Sequence, residues 1–251
     1  MKKNLIYFMY LKDGTINKFA EANLKLLENY LGIFDGQKII KIAVDNVEND
    51  YTHLIDIFSE VLDCKVNIIK NNPETGEGET FIDSVKELNK EESLTFYSHA
   101  KGVSVDYNED DKFQVHKMWM FSMYFFNLES EFIKEIDYEL QHGKSFSGIL
   151  RKEVSCAPWV VTDWHYSGTF YWFNTLDVLN TEGWDTIEKN RFTPESFPGH
   201  VVPLEKSRYD LLSLPYNFDT YHHTLWANLI TPNNLTTQVY DKFINTYNKF
   251  F

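Results

Sequence analysis

The segment LTFYSHAKGVS at residues 94–104 decides the fold, because an apolar run in it is followed directly by polar residues. The run at 94–97 has the length and composition of a buried strand, and His99, Lys101 and Gly102 follow soon after it. An imidazole, an ammonium group and a glycine therefore stand at the carboxyl end of a predicted strand. Ligands of open α/β sheets bind at the carboxyl ends of the strands, so this strand end is a predicted ligand site.

A regular alternation of strand and helix patterns precedes this segment. Apolar runs alternate with stretches whose apolar residues recur at helical spacing, and Thr15 or Asn17 is placed to cap the first helix. The predicted elements are strands at 4–10, 38–44, 65–69 and 93–97 and helices at 16–31, 51–62 and 79–88. This alternation predicts an α/β fold with a Rossmann-type, doubly wound, mostly parallel sheet.

The chain after residue 104 is rich in aromatic residues and has a mixed pattern. The 251 residues include 20 Phe, 15 Tyr and 6 Trp. The predicted elements are helices at 115–127, 129–141, 175–179 and 235–250, a helix that starts at 194–195, and strands at 159–162 and 169–173. We expect a single domain over residues 1–251, in which an α+β part at 105–251 elaborates the half at 1–104.

The charge of the chain restricts its partners. Lys and Arg number 24 and Asp and Glu number 37, which gives a formal net charge of −13. A surface of this charge repels nucleic acids and anionic membranes, so no nucleic-acid partner is expected. It does not disfavour an anionic small ligand, for which a few local cations and a helix N-terminus suffice.

The sequence predicts a cytoplasmic protein without a transmembrane segment. No apolar stretch is long enough to span a bilayer. Residues 1–14 favour a first strand over a signal peptide, because their apolar run is short and ends in charged residues. Cys64 and Cys156 have neither CxxC nor zinc spacing and are expected to be free thiols.

His99 and Lys101 admit three interpretations. His99 is a metal ligand if other ligands converge on it, and otherwise it is suited to donate a hydrogen bond to a phosphate oxygen. Lys101 supplies a point charge for a diphosphate, and Gly102 allows the backbone to approach such a ligand closely. The third interpretation is a surface turn with a solvated lysine.

A second motif, WHYSGTFYWFN at 164–174, places His165, Ser167 and Gly168 among aromatic residues. The chain has no GxSxG elbow here, so the pattern favours close approach of the backbone to a flat ligand over a serine nucleophile. Aromatic side chains alternate faces along this predicted strand. One set is expected in the core, and the other, with Trp172, is a candidate ligand platform.

A third motif, RFTPESFPG at 191–199, places Glu195 in the first turn of a predicted helix. A carboxylate there either interacts with the helix dipole or acts as a general base on an attacking hydroxyl group. Arg191 is a candidate partner for Glu195 or for a phosphate. Glu77 and Glu79, between the third strand and third helix, are expected to be solvated or to cap the helix.

The three motifs, taken in order, resemble those of a group of GT-A-type glycosyltransferases associated with capsules, lipopolysaccharides and large viruses. That group has a YxHTKG-like strand end, an SGNFWW-like stretch some sixty to seventy residues later, and an Arg followed closely by a Glu. The matching segments here are GEGETF at 76–81, FYSHAKGVS at 96–104, YSGTFYWFN at 166–174 and RFTPESFPG at 191–199. Trp119 and Met123, in the predicted helix between the first two motifs, also match.

The resemblance implies a GT-A-like fold and an activity. Residues 1–104 become the nucleotide-binding half and 105–251 the acceptor-side half. The enzyme is expected to move a sugar from a nucleotide-diphosphate donor to a glycan hydroxyl, in the synthesis of polysaccharides or surface glycans. Ala100 stands where the family has Thr, and Thr169 where it has Asn. No DxD motif ends the fourth strand, so the need for a divalent cation, Mn²⁺ or Mg²⁺, stays open, with His99 as its single candidate ligand.

The site residues that follow from this resemblance fall into three groups. Glu195 is the expected catalytic base if the enzyme inverts the configuration at the anomeric carbon. The expected donor-binding residues are Tyr10, Asp45, His99, Lys101 and Gly102. The expected residues around the sugar and the acceptor are His165, Ser167, Gly168, Trp172 and Arg191.

Two other functions stay open from the sequence. The first is a carbohydrate-binding protein that has kept the fold and lost catalysis, which the departures at Ala100 and Thr169 motivate. The second is a serine hydrolase, in which Ser167 would react with a fluorophosphonate probe.

Overall fold

A six-stranded sheet lies at the centre of the fold, with helices on both of its faces. The computed structural model describes residues 1–100, 110–152, 162–208, 230–231 and 234–251, without the side chains of 110–115. Lys101 and Gly102 lie outside the described residues, and so do residues 159–161 of one predicted strand.

The described strands are β1 Lys2–Leu11, β2 Lys38–Val44, β3 Val66–Lys70, β4 Ser93–His99, β5 Phe146–Gly148, β6 Arg151–Lys152, β7 His165–Tyr166 and β8 Tyr171–Asn174. The described α-helices are α1 Lys18–Tyr30, α2 Thr52–Leu62, α3 Gly78–Lys86, α4 Asp110–Leu128, α5 Ser130–Gln141, α6 Thr175–Asn180, α7 Thr193–Val201 and α8 Thr237–Phe250. Short 3₁₀ turns lie at Lys12–Gly14, Leu31–Ile33 and Leu204–Lys206.

The strand order β3-β2-β1-β4-β8-β5 places a topological switch point between β1 and β4. The chain moves outward from β1 through β2 to β3 and then returns to the other side of β1 as β4. These four strands are parallel, whereas β8 runs antiparallel to both β4 and β5. Such a switch point opens a crevice at the carboxyl ends of the strands, where ligands of α/β proteins bind.

Alternate side chains of the sheet point to its two faces and belong to two separate hydrophobic cores. One core contains Phe96 and Trp172 and packs against α1, α2, α4, α5 and α8. The other contains Tyr97 and Tyr171 and packs against α3, α6 and α7. The predicted α/β fold with a doubly wound, mostly parallel sheet is therefore confirmed.

Local sequence signals account for several helix and strand boundaries. The Asn17 side chain accepts hydrogen bonds from the backbone N–H groups of Phe19 and Ala20, so Asn17 and not Thr15 caps α1. Pro194 lies in the first turn of α7, where the missing N–H costs nothing. The fourth strand runs two residues beyond its predicted end, and His99 is its last residue.

The later part of the chain completes the same sheet. The predicted strand at 169–173 begins instead at Tyr171, since Thr169 adopts a left-handed conformation that a strand does not use. Residues 171–174 pair with β4, and β6 and β7 form a separate two-stranded sheet. Among the described helices, none is long and apolar enough to cross a membrane.

Candidate active site

The ends of β1, β2 and β3 bring together a first polar cluster. The Tyr10 hydroxyl lies 3.0 Å from each carboxylate oxygen of Asp45, which directly follows β2. The same carboxylate accepts hydrogen bonds of 3.3 Å from the backbone N–H of Asp13 and from the amide of Asn71. Tyr10 and Asp45, both predicted from sequence, therefore share one site with Asn71, which the sequence did not single out.

The charge state of this cluster follows from its hydrogen bonds. Desolvation acts to raise the pKa of Asp45, but hydrogen bonds from Tyr10, from the Asp13 backbone and from Asn71 outweigh it and lower that pKa. Burial, followed by the Asp45 carboxylate, raises the pKa of Tyr10 to about 12. At neutral pH the cluster therefore presents an exposed anion held by a protonated phenol, which suits ligand hydroxyl groups.

A second cluster lies at the end of β4, around the carboxylate of Glu77. Its Oε2 atom is 2.5 Å from Nδ1 of His99 and accepts a 3.0 Å hydrogen bond from the Tyr97 hydroxyl. Its Oε1 atom is 3.5 Å from the Thr169 hydroxyl. Only 11% of the Glu77 side chain is exposed. It is therefore a partly buried residue at the centre of several polar contacts, and its side chain is neither solvated nor a helix cap.

The loop that carries Glu77 is closed by its own side chains. Glu79 accepts hydrogen bonds of 3.2 Å from Asn72 and 2.9 Å from Thr75. Gly78 directly follows Glu77 and packs against the main chain before α7, where a β-carbon on it would lie 1.8 Å from the carbonyl oxygen of Asn190. The absence of a side chain at Gly78 thus allows the Glu77 loop to contact the segment that leads into α7.

Thr169 reaches the same cluster in a strained conformation. Its φ angle is +57°, which β-branched residues rarely adopt and which costs on the order of 1–3 kcal/mol. The hydroxyl oxygen lies 3.4 Å from Nδ1 and 3.3 Å from Nε2 of His99. Strain of this kind persists where the surroundings fix the backbone, as they do at ligand sites.

His165, Ser167 and Glu195 form a third group beside the second. The Ser167 hydroxyl is 3.2 Å from Nε2 of His165, and Oε1 of Glu195 is 3.8 Å from the same nitrogen. Burial, with a smaller effect from Lys152, lowers the pKa of His165 to about 4. His165 is therefore neutral at pH 7, and its contact with Glu195 is not an ion pair.

This arrangement is not a catalytic triad. A triad needs the serine and the carboxylate on opposite nitrogens of the imidazole, whereas Ser167 and Glu195 both approach Nε2. Nδ1 of His165 is buried and has no hydrogen-bond partner in the described part of the chain. The geometry thus disfavours the serine hydrolase alternative.

Tyr171 links the second and third groups. Its hydroxyl donates a 2.8 Å hydrogen bond to the carbonyl oxygen of Pro194, and its ring packs 5.6 Å from that of Tyr97. Burial, followed by the charges of Glu77 and Glu195, raises the pKa of Tyr171 well above its ordinary value. Two carboxylates therefore lie near one buried phenol that stays protonated.

Side chains of α4 pack against the Ser167–Gly168 turn. Gly168 has a φ angle of +88°, and a β-carbon on it would lie 2.6 Å from the Met123 side chain and 3.2 Å from Trp119. The backbone N–H of Ser167 donates to the carbonyl oxygen of Leu150 at 2.9 Å. Trp119 and Met123 of α4 thus pack against the Ser-Gly turn.

The remaining predicted site residues are placed differently. Arg191 lies beside the Glu77 loop, where a β-carbon on Gly76 would be 3.9 Å from its Cγ atom. Trp172 is 1% exposed, and its ring nitrogen donates to the carbonyl oxygen of Asn127 at 3.0 Å. Trp172 is therefore a core residue here and not a ligand platform, because its face of the sheet is covered by helices.

The described residues at this strand end do not by themselves make up a metal site. His99 Nδ1 is directed at Glu77 Oε2, and the other carboxylate oxygen faces the Thr169 hydroxyl, so this cluster presents few metal-ligating atoms. Within the described ranges, no three His, Cys, Asp or Glu side chains come together to hold a metal ion. The described donor set does not fit a divalent cation.

Glu77 is the functional candidate that sequence reasoning did not select. The GEGETF segment at 76–81 belongs to the resemblance, but two neighbouring carboxylates in a polar loop do not reveal which one turns inward. The available signal was Gly78, since glycine is the residue that allows two backbones to approach closely.

Comparisons with known proteins find matches among solved structures alone. No protein-family model and no curated protein sequence matches the chain. Similar solved structures include 4-diphosphocytidyl-2C-methyl-D-erythritol synthase from Anaerococcus prevotii, at 11% identity and a TM-score of 0.39, with 90% of this chain and 96% of that chain covered. They also include TarS from S. aureus, at 11% identity and a TM-score of 0.42, with 98% of this chain but 43% of TarS covered. At these values the likenesses carry no argument, and function has to be drawn from the residues themselves.

Proposed function

We propose that this protein is a GT-A-like glycosyltransferase that moves a sugar from a nucleotide-diphosphate donor to a hydroxyl group of a glycan. We further propose that it acts in the cytoplasm, in the synthesis of a polysaccharide or surface glycan. The observation that carries the proposal is the meeting of motifs far apart in sequence. Glu77, His99, Thr169 and Glu195 lie around two packed tyrosines at the carboxyl edge of the sheet.

The two sides of the switch point suit the two parts of a nucleotide-sugar donor. Tyr10 and Asp45 lie over β1 and β2, where a carboxylate can accept hydrogen bonds from nucleoside hydroxyl groups. On the other side of the switch point, His99 ends β4 and would border the donor sugar, with Lys101 and Gly102 as proposed contacts of the diphosphate.

The proposed acceptor side is formed by the later motifs. His165, Ser167, Gly168 and Arg191 lie near or next to the second cluster and would shape the sugar and acceptor sites. The Glu195 side chain is 21% exposed and lies in the first turn of α7, within reach of an incoming hydroxyl group.

The reaction assigned to these residues is a displacement at the anomeric carbon. The acceptor oxygen forms a bond to that carbon, and the bond from the carbon to the diphosphate oxygen breaks with both electrons leaving on the diphosphate. The proton of the acceptor hydroxyl passes to the Glu195 carboxylate. A general base in such a position contributes roughly 10²- to 10⁴-fold in rate.

The test is a panel of nucleotide sugars carrying uridine, guanosine, cytidine or adenosine. Each is incubated with the full chain, with and without a divalent cation, and slow hydrolysis of the donor is followed together with the melting temperature. We expect one nucleotide class to be hydrolysed and to raise the melting temperature, since a ligand that binds the native state stabilises it.

The carbohydrate-binding alternative predicts another result in the same experiment. The strained Thr169, in a position where the family has Asn, is the feature that favours it. Binding to a glycan array with no response to any nucleotide or nucleotide sugar would support that alternative and refute the transferase.

A further inference from the structure

We propose that Glu77 is a positioning residue, which holds the ring proton of His99 on Nδ1 so that Nε2 accepts a hydrogen bond from a sugar hydroxyl. The inference rests on the proposed function for the identity of the ligand, but its first step concerns the protein alone. It gives a role to a side chain that the sequence left as a solvated or capping residue.

The first step follows from the donors around the Glu77 carboxylate. Oε2 receives the Tyr97 hydroxyl at 3.0 Å and faces His99 Nδ1 at 2.5 Å. Burial, followed by the charge of Glu77, raises the pKa of Tyr97 well above its ordinary value, so Tyr97 stays a donor. In the proposed state Glu77 is an ionised carboxylate, which only accepts hydrogen bonds, and the short contact then places a proton on His99 Nδ1.

The second step concerns the other nitrogen of the ring. In the neutral imidazole a proton on Nδ1 leaves a lone pair on Nε2. The Thr169 hydroxyl is almost equidistant from the two ring nitrogens, at 3.4 and 3.3 Å, so it is not directed at Nε2 alone. About a fifth of the His99 side chain is exposed, 19%, so the ring can be reached by a ligand.

The third step identifies the ligand group. A lone pair on Nε2 needs a hydrogen-bond donor, and a diphosphate at neutral pH offers only acceptors. A sugar offers hydroxyl groups around its whole ring. His99 would thus contact the transferred sugar, and the diphosphate would depend on other residues.

The tautomer can be measured directly by ¹⁵N NMR of the histidine side chains, which separates Nδ1–H from Nε2–H forms. The His99 signals are assigned by their loss in His99→Gln. We expect the Nδ1–H form in the wild type and in Glu77→Gln, whose amide oxygen can still accept from Nδ1. We expect Glu77→Ala to convert His99 to the Nε2–H form that free histidine prefers. A folded Glu77→Ala variant with an unchanged tautomer would overturn the proposal.

Glu74→Gln is the matched control, because Glu74 is exposed in the same loop and makes the same change of charge. It should leave the tautomer and the donor hydrolysis as in the wild type. Addition of UDP or GDP alone should leave His99 singly protonated. Uptake of a proton from solvent at Nε2 when either nucleotide is added would show a phosphate contact and would refute the hydroxyl assignment.

Steady-state kinetics with the nucleotide sugar that the protein turns over then distinguish a positioning role of Glu77 from a role in folding. We expect Glu77→Ala to lower kcat by roughly 10²-fold, the size of loss that follows when a group that positions the substrate is misplaced, with a smaller change in KM. Glu77→Gln should recover most of that loss. If no nucleotide sugar is turned over by the wild type, the proposed function fails while the tautomer result still decides the role of Glu77.

Discussion

The hydroxyl group of Tyr171 donates a 2.8 Å hydrogen bond to the carbonyl oxygen of Pro194, which directly precedes Glu195. Through this bond the first residue of β8 fixes the first turn of α7. Tyr171 is fully buried and also packs on Tyr97, beside the Glu77 carboxylate. One side chain therefore connects the first turn of α7, which carries Glu195, with the tyrosine that donates a hydrogen bond to Glu77.

Replacing Tyr171 with phenylalanine should remove the bond and keep the packing. We expect the free energy of unfolding to fall by about 1 kcal/mol, because a buried carbonyl group loses its partner. Transfer should slow more than stability suggests, since Glu195 is no longer fixed. Denaturant unfolding and single-turnover rates measure the two effects. Tyr138→Phe, at a side chain that is 59% exposed, is the control and should change neither.

Replacing Gly78 with alanine should separate the Glu77 loop from the segment before α7. The new β-carbon would lie 1.8 Å from the carbonyl oxygen of Asn190, so one of the two backbones has to move. We expect a loss of about 1–3 kcal/mol in stability, together with a loss of activity.

Gly32→Ala is the matched control for this substitution. Nothing lies within 4 Å of a β-carbon at Gly32, and the change should be neutral or slightly stabilising. Thermal melts of both variants test the comparison, and equal melting temperatures would contradict the tight contact at Gly78.

The parallel half of the fold was predictable because its signals are local. The strand at 38–44 was predicted with its observed boundaries, since an apolar run between turn residues defines a buried strand. The contact between Glu77 and His99 was not predictable, because it joins residues 22 positions apart through loop closure.

The sequence did not indicate which face of β8 lies nearer the candidate site, for a different reason. Tyr171 and Trp172 point to opposite faces, yet both are buried, because helices cover both faces of the sheet. Alternation of aromatic residues therefore gives no sign of which face meets a ligand. Only the contacts of Tyr171 with Pro194 and Tyr97 place it beside the site.

Replacing Asp45 with asparagine should weaken nucleotide binding. The carboxylate, kept ionised by hydrogen bonds from Tyr10, the Asp13 backbone and Asn71, would bind nucleoside hydroxyl groups. Losing the charge should raise Kd by roughly tenfold, as expected for one charge-assisted hydrogen bond at an exposed site. Calorimetry with UDP and GDP measures this, and Asp56→Asn, on the exposed side of α2, should leave the Kd unchanged.

Replacing Glu195 with glutamine should abolish the base without removing the side chain. We expect kcat for transfer to fall by roughly 10²- to 10⁴-fold with little change in donor affinity. Rapid-mix measurements with bound donor report the chemical step. Glu205→Gln, at an exposed residue beyond α7, provides the same chemical change elsewhere and should keep the wild-type rate. A full transfer rate in Glu195→Gln would refute the role.

His165 should make the protein less stable in acid. Burial, followed by Lys152, lowers its pKa to about 4 in the folded chain, against an ordinary value of about 6.5 in the unfolded chain. Between these two values the unfolded chain binds a proton that the folded chain does not. The free energy of unfolding therefore falls as the pH is lowered through this window, by about 1.4 kcal/mol per pH unit and on the order of 3 kcal/mol in all.

Urea unfolding at a series of pH values isolates this contribution when wild type is compared with His165→Gln. The variant has no imidazole to protonate, so its stability should depend less on pH between about 6.5 and 4. His53→Gln, at an exposed position on α2, removes no buried titrating group and should keep the wild-type pH dependence. Parallel curves for wild type and His165→Gln would mean that His165 is protonated as readily in the folded chain as in the unfolded one. In that case His165 would be charged at acidic pH and would form an ion pair with Glu195 there. The Glu195 carboxylate would then not be available as a base at that pH.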